Sequence, residues 1–481
     1  MFDIKKGTAY VSSEGFVSYE EMHKHADSIA AQIHNRSLVF FVATNTVESL
    51  EAYVGFLKHH IVPLMVSASL DTVLVNTLLC EYKPEYIWCP RSFSIPVMIK
   101  LVFAYGSYAL YATVFATDIT TDLNPNLALL LSTSGSTGSP KYIRLSYCNL
   151  ESNARAIAHY QALVPEDQAI TTLPFGYAYG LSIINSHLIT GASVVLTEAT
   201  MFDKEFWNLL HQNRVTNFGG VPYTYSILKR LRFEQMSFSC LRFISQAGGR
   251  LGSELHIEFA RICEEKNIDF VIMYGQTEAT ARMSYLPAHR TSEHIDQVGI
   301  AIPGGRFELL ADDGTLIATP NTYGELVYYG DNVALGYALT RKDLSKSDEW
   351  NGRLETGDIA TFDEEGYLRI VGRKKRFLKI FGNRINLDEI EGFLLTKHVV
   401  AACIGQDDAM QVFVETPQYS NAFIENLITP RSIQLYLAQL TGLNSSAFSI
   451  RFVEALPRTN SGKTNYTELE SLLEIPSESL C

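Results

Sequence analysis

The stretch Ser132–Lys141, which reads STSGSTGSPK, decides how the rest of the chain is interpreted. It follows the apolar run Leu127–Leu131, which predicts a buried strand, and it combines hydroxyl side chains, glycines, a proline and a lysine. Backbone amides and Ser/Thr hydroxyls in such a loop form a donor surface suited to phosphate oxygens, and Lys141 adds a positive charge. The spacing GxxxxGK[ST] of a P-loop is absent. Taken alone, the stretch fits either a phosphate-binding loop or a polar surface loop.

Composition limits the class of protein. The chain has 481 residues, 47% of them hydrophobic and 19% charged, and its formal net charge is −13. This length suggests two or three globular domains, and the acidic balance argues against binding of nucleic acid or of a membrane surface. The scattered cysteines lack CxxC spacing, so we expect a reducing compartment with neither a disulfide framework nor a zinc site. The N-terminus lacks the apolar region of a signal peptide, which favours a cytoplasmic location.

The most apolar stretch, Val97–Phe115, is interrupted by Lys100 and by Gly106–Ser107. A membrane span needs about 20 apolar residues, so two short strands around a turn fit this stretch better.

Hydrophobic patterns alternate between helical and extended periods. They predict helices near Tyr19–Gln32, Val47–His60 and Tyr147–Tyr160, with strands such as Leu38–Val42 and Tyr86–Cys89 between them. This alternation predicts an α/β fold with parallel sheets covered by helices.

Two polar turns follow predicted strands: Gly248–Gly249, and the YGQTE stretch Tyr274–Glu278. Ligands of parallel sheets bind beyond the carboxyl ends of the strands, so the two placements agree with each other. From about Val298 the chain becomes rich in glycine and short β runs, and Asp313–Gly314 predicts a hairpin. The last part of the chain is long enough for a small domain of its own.

Several stretches, taken together and in order, resemble the adenylate-forming (AMP-binding) superfamily of acyl-CoA synthetases, luciferases and peptide-synthetase adenylation domains. They are STSGSTGSPK at 132–141, LPFGYAYG at 173–180, YGQTEAT at 274–280, ETGDIA at 355–360, GRKKRFLKIFGNRINLDEIE at 372–391 and LPRTNSGK at 456–463.

The resemblance implies a large N-terminal domain of parallel-rich sheets with helices plus a β-rich lobe, and a small mobile α+β C-terminal domain. The N-terminal adenylation domain would cover residues 1–373 and the C-terminal domain residues 376–481, with a hinge at 374–375.

The resemblance also implies the reaction. A carboxylate attacks the α-phosphate of ATP, with Mg²⁺, and forms an acyl-adenylate and pyrophosphate. The acyl group then passes to the thiol of coenzyme A or of a carrier-protein phosphopantetheine. Because the sequence ends at Cys481 soon after the last motif, we expect the acceptor to come from another molecule.

By resemblance, one set of residues binds the nucleotide. Tyr274 would stack on adenine, Asp358 would accept the ribose hydroxyls and Arg373 would assist there. Without the motifs, Tyr274 fits core packing and Asp358 fits a turn aspartate. The whole set is Thr133, Ser134, Gly135, Ser136, Thr137, Gly138, Lys141, Ala247, Gly248, Gly249, Tyr274, Gly275, Asp358 and Arg373.

A second set would act in catalysis. By resemblance, Thr277 contacts the α-phosphate, Glu278 holds Mg²⁺, and Lys463 bridges the carboxylate and the α-phosphate. Lys379 belongs to the same catalytic set, and Lys375 is the hinge residue. The alternatives are a solvated loop lysine at 463 and a plain basic surface over 372–384.

Phe175, Tyr177 and Tyr179 would form the acyl pocket, with a core turn as the alternative. The chain departs from the family pattern at Tyr142, Tyr147 and Tyr177, which leaves the substrate open. Amino-acid-activating members carry an aspartate in this region, and none occurs in Thr171–Gly180.

We therefore expect an ATP-dependent carboxylic-acid ligase acting on a small-molecule acid, with a carrier protein as a possible partner. Two alternatives stay open, a stand-alone amino-acid adenylation enzyme and a catalytically silent nucleotide-binding protein. Retention of Glu278 and Lys463 counts against the silent protein.

Overall fold

A computed structural model describes most of the chain. The residues described are 6–12, 15–34, 36–117, 123–132, 141–380, 383–395, 397, 399–406, 409–416, 429–441, 443–458 and 464–471. The chain divides into two compact units, Met1–Phe307 with Val327–Leu354, and Glu308–Leu326 with Glu355–Cys481.

The second unit begins earlier in the chain than the expected boundary at 374–375. Antiparallel pairing joins the strand Arg353–Phe362 to the strand Leu368–Arg373, so the two are grouped together. The domain boundary and the hinge stay predictions.

One large sheet of the first unit has a parallel centre. Its central strands, Leu127–Ser132, Val62–Ser67, Leu38–Ala43 and Tyr86–Pro90, run parallel, and the strands outside them pair antiparallel. In spatial order its strands are Gly336–Ala338, Tyr142–Ser146, Leu127–Ser132, Val62–Ser67, Leu38–Ala43, Tyr86–Pro90, Tyr108–Thr113 and Ile99–Tyr105.

The last two strands form the expected pair around Gly106–Ser107. Among the described residues, no helix is both long enough and apolar enough to span a bilayer.

The other large sheet carries the polar turns noted in the sequence. Its strands from Asp269–Tyr274 to Thr8–Ser12 run parallel, and antiparallel strands close both edges. In spatial order they are Ile300–Ala301, Ser284–Leu286, Asp269–Tyr274, Phe243–Gln246, Asn217–Gly220, Gln168–Ile170, Ser193–Val195, Thr8–Ser12 and Gly15–Ser18.

Helices of the first unit connect these strands, and their apolar faces pack into the core with the buried sheet residues. The helix Tyr19–Ala30 begins at a Ser18 capping box, in which Ser18 and Glu21 satisfy each other's backbone amides. The helices are Tyr19–Ala30, Val47–Lys58, Thr72–Tyr82, Tyr147–Tyr160, Ala178–Thr190, Lys204–Gln212, Pro222–Arg230 and Ser253–Lys266. Parallel strands alternating with helices confirm the α/β prediction.

A small sheet combines Arg306–Leu310, Gly324–Tyr329, Arg353–Phe362 and Leu368–Arg373. The turn at Asp313–Gly314 is the predicted hairpin turn, since Gly314 has a φ of +82° and Leu310 pairs antiparallel with Leu316.

The C-terminal part of the second unit is an α+β arrangement. The ion pairs of Arg376 with Asp388 and Glu391, both at 2.5 Å, link its first segments. Its strands are Phe377–Ile380, Asn383–Asn386, Ala401–Gln406, Ala409–Glu415 and Phe448–Val453, and its helices are Leu387–Leu395, Pro430–Thr441 and Tyr466–Ser471.

Candidate functional site

The YGQTEAT stretch forms a tight turn after the strand Asp269–Tyr274. A Cβ atom on Gly275 would lie 2.0 Å from the carbonyl oxygen of Ala281, so only glycine fits there. Thr280 and Ala281 have positive φ angles of 54° and 92°, which is unusual for residues other than glycine. Strained backbone of this kind persists only where the surroundings hold it, and it clusters at functional sites.

Two asparagines hold this turn in place. The Asn332 amide donates to the carbonyls of Ala279 at 2.8 Å and Arg282 at 2.9 Å. Asn153 donates to the same Arg282 carbonyl at 2.9 Å, and the Thr280 hydroxyl donates to the Asn332 carbonyl at 2.7 Å. All three hydroxyl or amide side chains are buried, so the turn that carries Thr277 and Glu278 is fixed from several sides.

Tyr337 joins two of the predicted site residues. Its hydroxyl donates to Glu278 Oε1 at 3.1 Å, and the Lys141 Nζ atom lies 3.3 Å from the centroid of its ring. The ring also packs edge-on against Trp350 at 4.9 Å, which restricts its orientation. The structure therefore brings Lys141, at the end of the STSGSTGSPK stretch, close to the acidic residue of YGQTE.

The metal role that the resemblance implies for Glu278 stays a prediction, and the surroundings of the residue are compatible with it. Its side chain is half-buried, and Oε1 accepts from a neutral hydroxyl, which orients the carboxylate without neutralising it. Mg²⁺ in nucleotide sites is commonly held by one or two carboxylates together with substrate phosphates, so the donor is of the right kind.

The predicted pocket tyrosines lie against the Ala247–Gly249 turn. Gly248 has a φ of +82°, and a Cβ atom there would lie 2.6 Å from the Tyr177 hydroxyl oxygen. The Tyr179 hydroxyl donates to the carbonyl of Ser245 at 2.8 Å, just before this turn. Burial raises the pKa of Tyr177 to about 12, so its hydroxyl is neutral at physiological pH. The structure thus places Tyr177 beside a turn that was expected to contact the nucleotide.

Phe175 lies elsewhere. It is fully buried in the core cluster that contains Phe41 and Tyr53, with ring centroids 6.5 Å and 5.6 Å away, whereas Tyr177 and Tyr179 belong to another cluster. Its contacts are those of a core residue, and its place in an acyl pocket stays a prediction.

Tyr142 and Tyr147, which depart from the family pattern, both pack against other aromatic rings. The Tyr142 ring meets the Tyr82 ring edge-on at 5.5 Å, and the Tyr147 ring meets the His60 ring at 5.2 Å.

The expected ribose residues meet in the second unit. Arg373 Nε lies 2.7 Å from Asp358 Oδ1, and the two residues are paired across adjacent strands. The Asp358 side chain is 2% exposed and its backbone amide donates to the Thr356 hydroxyl at 3.1 Å, so its position is well defined.

Several predicted residues fall outside the described part of the chain. They are Thr133, Ser134, Gly135, Ser136, Thr137, Gly138 and Lys463. For Lys375 and Lys379 only the backbone is described, in a short 3-10 turn at Lys374–Arg376 and in the strand Phe377–Ile380. Their roles stay predictions.

Sequence reasoning missed two residues of this region, Tyr337 and Arg282. Tyr337 lies 59 positions from Glu278, so no local pattern links them. Arg282 had a signal, since a lone charge stands between Ala281 and Met283 directly after YGQTEAT.

A family model described as AMP-binding enzyme matches residues 5–338. The chain belongs to this family. It is 32% identical over 358 residues to a 2-succinylbenzoate–CoA ligase of Bacillus pumilus, covering 73% of this chain and 70% of that protein. It is 28% identical over 362 residues to the medium-chain fatty-acid–CoA ligase of Escherichia coli, covering 73% and 62%.

The matches to the first curated relatives span less than two thirds of their length, 62% of the Escherichia coli protein and 52% of an oxalate–CoA ligase of Arabidopsis thaliana.

Solved structures support the fold. The AMP complex of o-succinylbenzoate coenzyme A synthetase from Bacillus subtilis aligns with a TM-score of 0.78 at 19% identity, covering 97% of this chain and 95% of that chain. ATP-bound MatB from Rhodopseudomonas palustris aligns with a TM-score of 0.76 at 22% identity, covering 98% and 97%. These likenesses confirm the predicted α/β fold class.

Proposed function

We propose that this protein is an ATP-dependent carboxylic-acid ligase that forms an acyl-adenylate and then an acyl thioester. The observation that carries the proposal is the linked set of Lys141, Tyr337 and Glu278 beside the rigid Thr277 turn. This set offers a cation for phosphate oxygens and a carboxylate for a divalent cation within one unit, in a chain of the AMP-binding family.

The first half-reaction is an in-line displacement at the α-phosphate. An oxygen of the acid's carboxylate forms a bond to the α-phosphorus, the bond to the bridging oxygen breaks, and pyrophosphate leaves with that electron pair. Glu278 would hold Mg²⁺, whose charge would offset that of the phosphates. Lys141 lies on a ring face that attracts cations, and the hydroxyl of the same ring donates to Glu278.

Residues of the second unit would hold the ribose. The Asp358 carboxylate would accept both ribose hydroxyls, and its ion pair with Arg373, which engages Oδ1 at 2.7 Å, fixes its orientation. Lys463 would bridge the reacting carboxylate and the α-phosphate, which places a cation between two groups that repel each other.

In the second half-reaction the sulfur of the thiolate forms a bond to the acyl carbon, the bond between that carbon and the phosphate oxygen breaks, and AMP leaves with the electron pair. The relatives are named as CoA ligases, which favours coenzyme A as the acceptor. A phosphopantetheine on a separate carrier protein is the other acceptor consistent with this chemistry. We also propose a cytoplasmic location for the reaction.

A pyrophosphate-release assay on the full chain tests the proposal. The panel should contain medium-chain fatty acids, oxalate, 2-succinylbenzoate and free amino acids, each with Mg²⁺ and ATP. We expect acid-dependent release, and thioester formation only when coenzyme A or a carrier protein is added. Release that depends on no acid in a panel of this breadth contradicts the ligase function.

A further inference from the structure

Arg282 is a buried guanidinium with no hydrogen bond to the part of the chain that the structure describes. Its side chain is fully buried, and the Tyr179 hydroxyl is near enough to interact with it electrostatically. None of the three guanidinium nitrogens has hydrogen-bond geometry with any described residue. Removing a charge from water without a partner is among the costliest arrangements in a protein, so a group of this kind calls for an explanation.

Arg144 is a reference within the same chain. It is also fully buried, but its nitrogens donate to the carbonyls of Leu335, Tyr337, Lys346 and Ser347 and pair with Glu349 at 2.5 Å. The chain therefore satisfies a buried arginine where that arginine is structural. Arg282 differs because no carbonyl or carboxylate of the described ranges accepts a hydrogen bond from it.

The surroundings of Arg282 are aromatic. Its guanidinium carbon lies 3.8 Å from the centroid of the Tyr179 ring. The Tyr179 cluster also holds Tyr160, Tyr177 and Tyr285, and the rings of Tyr160 and Tyr285 stack at 4.3 Å. An aromatic face attracts the cation, but it leaves the N–H groups around the edge of the guanidinium without acceptors.

Arg282 faces the expected acyl side. Tyr274, expected to stack on adenine, packs with Ala279 and Met283 in a different cluster from the one that contains Tyr177 and Tyr179. The cluster of Tyr177 and Tyr179 also contains Ala247 of the expected nucleotide turn. Because Arg282 lies directly on the Tyr179 ring, and Tyr179 is an expected acyl-pocket residue, we assign an anion that reached Arg282 to the acid.

We propose that Arg282 binds a second carboxylate of the substrate, so that the acids activated by this chain are dicarboxylic acids. One carboxylate is adenylated, and the other accepts a bidentate pair of hydrogen bonds from Arg282. The inference rests on the proposed ligase function and names its substrate class. Arginine suits this task because its planar fork matches the two oxygens of a carboxylate.

The same charge disfavours the ammonium group of a free amino acid. Because Arg282 has no exposed surface, an acid can reach it only if a neighbouring side chain moves, and we assign that movement to the half-buried Tyr177 of the same cluster.

The test compares straight-chain dicarboxylic acids of increasing length with their monoamides, each supplied to the full chain with ATP and Mg²⁺. The monoamide keeps the length and one reactive carboxylate but removes the second negative charge. For the best diacid we expect kcat/KM to exceed that of its monoamide by roughly 100-fold, because hydrogen bonds between charged groups are lost. In Arg282→Met this preference should disappear, and Arg282→Lys should retain part of it.

Thermal unfolding provides a second measurement, which does not depend on catalytic turnover. Arg282→Met replaces an unpaired buried charge by an apolar side chain of similar length, so its melting temperature should equal or exceed that of the wild type. Arg144→Met is the matched control and should melt lower, because it leaves several carbonyls and Glu349 without their partner. Diacid alone should raise the melting temperature of the wild type and not that of Arg282→Met.

The possible results separate the two proposals. Turnover of monocarboxylic acids with no preference for diacids overturns the Arg282 inference and leaves the ligase function standing. Arg282→Met that melts lower and keeps the diacid preference also overturns it. If no acid supports the release of pyrophosphate from ATP, the proposed ligase function is wrong. The diacid-induced shift in melting temperature still decides whether Arg282 binds a carboxylate.

Discussion

The Tyr337 hydroxyl donates a hydrogen bond of 3.1 Å to Glu278 Oε1. The same ring supports the Lys141 ammonium at 3.3 Å, so one tyrosine positions an acidic and a basic residue of the candidate nucleotide site. Strand pairing of Tyr337 with Ile143 places this ring next to the strand that follows Lys141.

Tyr337→Phe removes the hydroxyl and keeps the ring. We expect kcat/KM for Mg·ATP to fall by roughly 3- to 10-fold, the effect of one hydrogen bond, and the Mg²⁺ concentration for half-maximal rate to rise. Tyr337→Leu removes the support for Lys141 as well and should cost more. Steady-state kinetics at varied Mg²⁺ measure both variants. Equal losses in the two would mean that the Lys141 contact contributes nothing.

Asp358→Ala tests the ribose site. Loss of two charge-assisted hydrogen bonds should weaken AMP binding by about 2–4 kcal/mol in titration calorimetry. Arg373→Gln is the companion variant, and it should cost less because Arg373 acts through Asp358. An unchanged affinity in Asp358→Ala would remove Asp358 from the nucleotide site.

Tyr177 and Phe175 should respond differently to truncation. Tyr177→Ala should change the ranking of acids while the KM for ATP stays nearly constant, because the ring belongs to the expected acyl side. Phe175→Ala should lower the stability to urea by about 3–5 kcal/mol, the cost of removing a buried aromatic ring, and leave the ranking unchanged. If Phe175→Ala reorders the acids, the aromatic wall includes Phe175 after all.

His187 should make stability depend on pH. It is buried in the helix Ala178–Thr190, Nδ1 donates to the Ile183 carbonyl, and Nε2 accepts from the Asn217 amide, which suits the neutral ring. Burial lowers its pKa from 6.5 to about 4.

Between pH 6.5 and about 4 the unfolded chain therefore binds more protons at this site than the folded one. The free energy of unfolding is therefore unaffected by this site above the pKa of the unfolded chain. Below that pKa it decreases as the pH falls, by at most about 1.4 kcal/mol per pH unit. Urea unfolding over this range should show a shallower pH dependence for His187→Gln than for the wild type. Identical slopes would mean that His187 charges freely in the folded protein.

Local patterns in the sequence were sufficient for the fold class. Apolar runs bounded by turn residues predicted strands such as Leu38–Val42, found at Leu38–Ala43, and helix periodicity predicted Tyr147–Tyr160, which the structure has at the same residues. Contacts between residues far apart in the chain could not be predicted from the sequence. Tyr337 reaches Glu278 only through strand pairing, and the burial of Arg282 depends on rings from distant segments. Phe175 shares a motif with Tyr177, yet the chain turns between them and sends the two rings into different clusters.

We propose that two successive half-reactions use different residues of the C-terminal part of the chain. Lys463 should serve adenylation, since its charge is needed as carboxylate and phosphate approach. Lys375 should serve the change between half-reactions, since a hinge residue absorbs a backbone rotation that proline restricts.

The most direct measurement is the rate of each half-reaction, determined separately in Lys463→Ala and Lys375→Pro. We expect Lys463→Ala to lose about 10²–10³ in the rate of adenylation and to pass a supplied acyl-adenylate to its thiol at nearly the wild-type rate. Lys375→Pro should adenylate normally and form thioester slowly. Equal loss of both steps in Lys463→Ala, or normal thioester formation by Lys375→Pro, would contradict the two-step account.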